Sequence, residues 1–163
     1  MTAGTIRVIS IKRNLMSKII ITSGYFNPIH IGHINMFREA KSLCDKLVVI
    51  VNNDEQVKLK GSVAFMPESE RVEVVRAIKY IDEVFLSIDK DKSVVESLKI
   101  VAKANPGELF FANGGDRNTG NIPEAKICEE FNIKMIDNIG GGKVQSSSRL
   151  LENAPDIEAI DKE

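Results

Sequence analysis

The chain has 163 residues, of which 43% are hydrophobic and 28% charged, and this is the composition of one globular domain that needs no disulfides. Its formal net charge of −1 excludes a general electrostatic field for nucleic acid, so any phosphate binding requires a local site. No apolar run reaches the roughly 18 residues of a membrane span, and the first residues lack the apolar segment of a secretory signal. The only two cysteines, Cys44 and Cys128, occupy amphipathic segments as small apolar residues do, so we expect a cytoplasmic protein.

Strand patterns alternate with helix patterns along the chain. Runs rich in β-branched and apolar residues predict strands at residues 18–26, 46–52, 83–88, 108–113 and 133–139. Apolar residues at helical spacing lie between these runs: Ile34, Phe37, Ala40 and Cys44; Val72, Val75, Ile78 and Ile81; Val94, Leu98 and Val101; Ile127 and Phe131. Pro67 and the acidic residues after it mark the start of the second helix. The alternation predicts an α/β fold, a Rossmann-like open parallel sheet of about five strands with helices on both faces.

The strand and helix patterns occupy one continuous stretch, which predicts a single domain over residues 18–152. Residues 1–17 precede the first strand pattern as an extension of unclear status, and residues 153–163 form an acidic tail that we expect to be solvated. Ligands of parallel sheets bind beyond the carboxyl ends of the strands. The corresponding loops, at residues 23–32, 52–66, 113–123 and 139–148, hold most of the unusual side chains.

Both histidines of the chain stand in the first of these loops, in the sequence His30-Ile31-Gly32-His33. A lone histidine is more often structural than catalytic. Two histidines three residues apart at a strand-to-helix junction can instead direct both imidazoles to one point beside a helix N-terminus, where backbone N–H groups favour phosphate. Gly32 leaves room for a phosphate or nucleoside to approach the backbone.

This loop resembles the HxGH signature of the nucleotidylyltransferase superfamily, and the similarity continues through most of residues 18–152. The pattern resembles that of the cytidylyltransferase-like group, which includes the glycerol-3-phosphate cytidylyltransferases and the heptose-1-phosphate adenylyltransferases. Further matching segments follow in order: Val51-Asn52-Asn53-Asp54, Leu59-Lys60-Gly61, residues 67–71, Tyr80-Ile81-Asp82-Glu83-Val84, Asn113-Gly114-Gly115-Asp116 and Gln145-Ser146-Ser147-Ser148.

The resemblance implies an enzyme that transfers AMP or CMP from a nucleoside triphosphate to a small phosphorylated acceptor, such as a sugar or polyol phosphate, and releases pyrophosphate. ATP is slightly favoured. The implied catalytic residues are His30, His33 and Lys60. The implied nucleotide-binding residues are Gly24, Tyr25, Phe26, Asn27, Gly32, Arg71, Gly114, Gly115, Asp116, Ser146, Ser147 and Ser148.

Three positions depart from the pattern of the family. Asn27, followed by Pro28, replaces a frequent aspartate in a way that is similar to the nicotinamide mononucleotide adenylyltransferases. Arg117 stands where an aromatic residue is expected, and Arg149 precedes the usual position of an arginine in some adenylyltransferases.

A phosphorylated acceptor is already an anion, so the reaction needs alignment and charge stabilisation rather than a general base. We expect Mg²⁺ to arrive with the triphosphate, because the sequence contains no dense carboxylate cluster for a metal site of its own. Nucleic acid and membrane are not expected partners, and a homodimer is compatible with such a domain.

Three alternatives stay open at this point. One is a CTP-dependent cytidylyltransferase of the glycerol-3-phosphate type, and another is a catalytically silent nucleotide sensor. In the third, both histidines merely begin a helix. A class I aminoacyl-tRNA synthetase shares the His-x-Gly-His letters, but the chain lacks a KMSKS-type segment and is far too short.

Overall fold

The structure is a computed structural model that describes residues 17–114, 122–140, 150 and 153. Strands and helices alternate along these residues almost without exception. The strands are β1 (Lys18–Gly24), β2 (Lys46–Val51), β3 (Glu83–Leu86), β4 (Glu108–Gly114) and β5 (Lys134–Ile139). The helices are α1 (Ile31–Ser42), α2 (Asp54–Leu59), α3 (Glu68–Arg76), α4 (Val95–Ala104) and α5 (Glu124–Glu130).

The five strands form one parallel sheet in the order β3-β2-β1-β4-β5. In register, Ile20 of β1 lies opposite Leu47 of β2 on one side and Phe110 of β4 on the other. The chain therefore adds β2 and β3 on one side of β1 and then β4 and β5 on the other side. This sheet confirms the predicted Rossmann-like α/β fold, and it places a topological switch point between β1 and β4.

Alternate side chains of the sheet pack into two separate apolar layers. Ile19 and Ile21 belong to the layer that includes residues of α4 and α5, whereas Ile20 belongs to the layer that includes residues of α1 and α3. Both layers are buried, because β-strand residues alternate between faces and helices cover each face. The continuous apolar runs of the sequence follow from this double burial.

The predicted elements and the observed ones differ in two places. Residues 52–66 were predicted as a loop, but they contain α2, whose N-terminus is capped by Asn53 together with Gln56. The helix that was predicted to carry Ile78 and Ile81 ends at Arg76, and these two side chains instead pack from a turn against the core. No helix in the described residues is long and apolar enough to cross a membrane.

Candidate active site

The catalytic candidates lie where β1 ends and α1 begins. Phe26 is buried with a positive φ of 50°, and its ring packs edge-on against His33 with centroids 4.9 Å apart. A Cβ on Gly24 would come within 2.7 Å of the Phe26 ring. Gly24 is therefore required by local packing, because the ring that supports His33 occupies the space of a side chain.

The two histidines form a stacked pair at the N-terminus of α1. Their ring centroids are 3.8 Å apart, with 26° between the ring planes. His30 Nδ1 accepts a hydrogen bond from the Gly32 backbone N–H at 3.1 Å, and His33 Nδ1 accepts one from the His30 N–H at 3.1 Å. Because a neutral imidazole that accepts at Nδ1 carries its proton on Nε2, each ring retains an Nε2–H donor for a ligand.

Burial keeps both imidazoles neutral. It lowers the pKa of His30. For His33, burial first, then the neighbouring charges of His30 and Lys60, lower the pKa to about 3. At neutral pH the pair therefore consists of uncharged hydrogen-bond donors, aimed from a helix N-terminus that itself favours anions.

Lys60 reaches the histidine loop from the neighbouring loop, at the end of α2. Its Nζ lies 4.5 Å from the centroid of the Tyr25 ring, a cation–π contact. Its charge also contributes to the lowered pKa of His33. The structure thus brings three predicted residues together, His33, Tyr25 and Lys60, although they come from two separate loops.

Arg71 holds loops together in this structure. Its side chain is 0% exposed. The guanidinium donates to the backbone oxygens of Met66, Tyr25 and Asn52 at 2.6–2.9 Å, and Nη2 forms an ion pair with Asp54 at 2.7 Å. A phosphate could reach this side chain only if those loops moved. Direct nucleotide binding by Arg71 stays a prediction that the present arrangement does not favour.

A buried polar layer beneath α2 contains residues that the sequence did not single out. Gln56 is fully buried, and its amide donates to the backbone oxygens of Asp91 and Ser93 while accepting from Asn52 and Asn53. This layer joins the loops after β2 and β3. Its sequence signal was the Asn53-x-x-Gln56 spacing, which is typical of a capping box.

The remaining predicted residues fall at the edge of the described structure or beyond it. Gly32 lies in the first turn of α1, and Gly114 ends β4 opposite Ile139. Gly115, Asp116, Ser146, Ser147 and Ser148 lie outside the described residues. Within the described residues, no group of three or more histidine, cysteine or acidic side chains could hold a metal ion.

Gly140, which follows β5, sits directly on α1. It has a φ of +92°, and an added Cβ would come within 3.0 Å of the Met36 Cα and 3.2 Å of its N. Its N–H also donates to the Glu39 carboxylate. The chain therefore leaves β5 in close contact with the helix that begins beside His30 and His33.

Comparison with known proteins gives one consistent family. Residues 21–136 match the family model described as cytidylyltransferase-like. The chain is 39% identical to the FAD synthase of Pyrococcus abyssi and 43% identical to that of Pyrococcus horikoshii, in each case over 72% of this chain and 77% of the relative. A lipopolysaccharide core biosynthesis protein from Thermoplasma volcanium has the same fold, with a TM-score of 0.59 at 23% identity over 74% of this chain and 95% of that one. The chain belongs to the cytidylyltransferase-like family and is a nucleotidyltransferase.

Proposed function

We propose that the protein adenylylates FMN, forming FAD and pyrophosphate from ATP and FMN. The observation that carries the proposal is the pair of neutral Nε2–H donors on His30 and His33 beside Lys60. This arrangement suits the transfer of a nucleotidyl group to an acceptor that is already an anion. The choice of ATP and FMN is supported by the FAD synthases, which are similar to this chain over most of its length.

The chemistry needs no group that abstracts a proton. FMN is a phosphate monoester and is largely a dianion at neutral pH. One of its phosphate oxygens attacks the α-phosphorus of ATP, the bond from that phosphorus to the bridging oxygen of the β-phosphate breaks, and pyrophosphate leaves. One P–O bond forms and one breaks, so atoms and charge balance.

The roles proposed for the two histidines and Lys60 follow from their surroundings. Negative charge shifts onto the leaving pyrophosphate and is spread over the phosphoryl oxygens in the transition state. The Nε2–H groups of His30 and His33 donate to those oxygens, and the Lys60 ammonium offsets the charge of the triphosphate. Ser146, Ser147 and Ser148 are proposed to hydrogen-bond the triphosphate as well.

Magnesium is proposed to enter with the nucleotide and to neutralise part of the phosphate charge. The phosphate oxygens of the nucleotide are proposed as its main ligands, as is usual for a hard cation of this size. The side chains named above then act on the phosphate oxygens that remain.

The test is a product assay with three substrate pairs in the presence of Mg²⁺: ATP with FMN, CTP with glycerol 3-phosphate, and ATP with a sugar 1-phosphate. Pyrophosphate release is measured for all three, and FAD is resolved from FMN by chromatography. We expect FAD with the first pair and background rates with the others. If only another pair is turned over, the acceptor of that pair, and not FMN, is the substrate. A folded protein that binds ATP but turns over no pair would indicate the nucleotide-sensor alternative.

The control variant is His30→Asn, whose side-chain oxygen can still cap α1. It should bind FMN and ATP but form FAD far more slowly. Equal FAD formation by the variant would show that the observed activity does not arise at this site.

A further inference from the structure

The loop that carries Lys60 is held in place by hydrogen bonds rather than by burial of its side chains. Val63 and Phe65 are 80% and 63% exposed, so little hydrophobic stabilisation fixes residues 60–66. Gly61 adds freedom at the start of the loop, since it has a φ of +80° and nothing lies within 4 Å of an added Cβ. The backbone at Lys60 is held by the end of α2, where the Lys60 N–H donates to the Gln56 oxygen at 3.0 Å, whereas the path of residues 63–66 depends on polar contacts with the histidine loop.

Asn27 supplies three of those contacts from the histidine loop. Its side chain is buried. Its Nδ2 donates to the Val63 backbone oxygen at 2.7 Å, and its Oδ1 accepts from the backbone N–H groups of Phe65 and Met66 at 2.8 and 3.2 Å. One amide thus satisfies both a carbonyl and two N–H groups of the neighbouring loop, which a carboxylate or an apolar side chain could not do.

The same two loops meet again at Tyr25 and Lys60. The Lys60 ammonium lies over the ring of Tyr25. Tyr25 stands only two residues before Asn27 in the chain. The Asn27 contacts fix the backbone of residues 63–66. The Tyr25 ring contacts the side chain of Lys60 at the start of that loop. Together they hold a positive charge next to His33 before any ligand binds.

We propose that Asn27 is a positioning residue that acts through Lys60, rather than a residue that binds the nucleotide itself. It holds residues 63–66 against the histidine loop, while the end of α2 holds the Lys60 backbone, so that the Lys60 side chain meets the triphosphate without a prior ordering step. The inference rests on the proposed role of Lys60 toward the triphosphate and is independent of the identity of the acceptor. Preorganisation of this kind increases affinity because less conformational freedom is lost on binding.

The first experiment is a double-mutant cycle with calorimetric titration of ATP and of AMP. The variants are Asn27→Leu, which keeps the approximate size but removes all three hydrogen bonds, Lys60→Met, and the double variant. We expect each single change to weaken ATP binding about tenfold, the loss of roughly one charge-assisted hydrogen bond, while AMP binding stays nearly unchanged. In the Lys60→Met background, Asn27→Leu should have almost no further effect.

Two controls separate positioning from general damage. Asn35→Leu makes the same change on α1, where the side-chain oxygen accepts a hydrogen bond from the exposed Arg38, and it should bind ATP normally. Asn27→Asp retains the acceptor bonds to Phe65 and Met66 but loses the donor to Val63; it should give an intermediate loss and replaces the leucine variant if that variant does not fold.

A second measurement observes the loop without any nucleotide. The chain has no tryptophan and only two tyrosines, Tyr25 and Tyr80, so a Tyr80→Phe protein reports fluorescence from Tyr25 alone. We expect Asn27→Leu in that background to increase quenching of Tyr25 by acrylamide, because Lys60 would no longer be held over the ring.

Three results would overturn the inference. Equal weakening of ATP binding by Asn27→Leu with and without Lys60 would show that Asn27 acts independently. Unchanged quenching of Tyr25 would show that the loop does not need Asn27. Normal ATP binding by Lys60→Met would remove the proposed role of Lys60 and, with it, this inference. Failure to make FAD in the product assay would contradict the choice of FMN but would leave the roles of Lys60 and Asn27 unchanged.

Discussion

His30 and His33 each use one ring nitrogen in a backbone hydrogen bond and leave the other available to a ligand. Nδ1 of each ring accepts a backbone N–H at the start of α1, which satisfies donors that a helix N-terminus otherwise leaves unpaired. Nε2–H is the group available to a phosphate. The two functions sit on different atoms, and a substitution can therefore remove one while retaining the other.

Replacing His30 with Asn should separate these functions. The Asn side-chain oxygen can accept the Gly32 N–H and is a favoured helix cap, so the melting temperature should stay close to that of the wild type. The loss of the Nε2–H donor should lower kcat by about 10² or more, as for other preorganised donors to a transition state. Steady-state kinetics and thermal unfolding measure the two effects, and near-normal kcat would contradict the role assigned to His30.

The lowered pKa of His33 predicts a specific loss of stability in acid. The folded pKa of about 3 lies below the ordinary value of 6.5. Between these two pH values, the unfolded chain binds a proton at His33 and the folded chain does not. The stabilising contribution is complete above about pH 6.5 and is lost as the pH falls from there toward the folded pKa. Urea unfolding of the wild type and of His33→Asn at pH 7.5, 6, 5 and 4 measures it.

The asparagine at position 33 can still accept the His30 N–H but cannot titrate. The free energy of unfolding of His33→Asn should therefore improve relative to the wild type as the pH falls. Acidic residues titrate in both proteins and cancel in the difference. A difference that is constant with pH would show that His33 is not held neutral by the fold.

At the residue scale the sequence predicted that the two histidines meet at the start of a helix, but it did not predict the burial of Arg71. The histidine signal is local, because three residues and a helix start determine the geometry. The surroundings of Arg71 are not local: Tyr25, Asn52, Asp54 and Met66 come from four positions that meet only in the folded protein. A charged residue in an open loop pattern gave no indication of complete burial.

At the scale of elements, Arg71 ties the start of α3 to the loops after β1 and β2. Arg71→Lys retains the charge, but an ammonium lacks the fork of donors that reaches three carbonyls and a carboxylate. We expect a loss of about 2 kcal/mol or more in the free energy of unfolding, because buried acceptors are left unsatisfied. Arg76→Lys on the same helix, whose side chain is 56% exposed, is the matched control and should be nearly neutral in urea unfolding.

The contact between Gly140 and α1 predicts a difference between two glycine substitutions. Gly61→Ala and Gly140→Ala both place a Cβ at positive φ, which costs roughly 1–2 kcal/mol. Only at Gly140 does the new atom also meet the backbone of α1, so this variant should lose about 1–3 kcal/mol more. Equal losses in chemical unfolding would mean that the approach of β5 to α1 is looser than described.

The elements themselves could be predicted to the extent that their signals were continuous in sequence. All five strands were predicted within a few residues, since burial on both faces produces apolar runs. The short α2 was missed because it has six residues and only one fully buried apolar side chain, Val57. Its existence depends on caps and on polar contacts with the loop after β3 rather than on an apolar face.

For the whole molecule, a ligand that binds the folded state alone should raise the melting temperature. ATP with Mg²⁺ at 100 times its dissociation constant would stabilise the fold by about 2.7 kcal/mol. We expect a clear thermal shift with ATP, a smaller one with CTP and little with AMP at the same concentration. A larger shift with CTP than with ATP would contradict the choice of nucleotide and favour the cytidylyltransferase alternative.

The sequence pattern did not predict the order of the strands in the sheet. Alternation of strands and helices indicates a parallel sheet, but it does not reveal that the chain reverses direction across the sheet after β3. That reversal positions β4 beside β1, where the Thr22 hydroxyl donates to the Ala112 backbone oxygen at 2.9 Å. The contact joins residues 90 positions apart, and no local periodicity encodes it.

The order of strands also has a consequence for how the protein is made. During synthesis, β1, β2 and β3 emerge first and are adjacent in the sheet, so this half can pair as it leaves the ribosome, with both histidines and Lys60 already present. The other edge of β1 stays open until β4 appears some 90 residues later, and on a translating ribosome that interval lasts several seconds. An unpaired strand edge is a template for pairing with another chain. During this interval the open edge of β1, beside the histidine loop, is available for pairing with another chain.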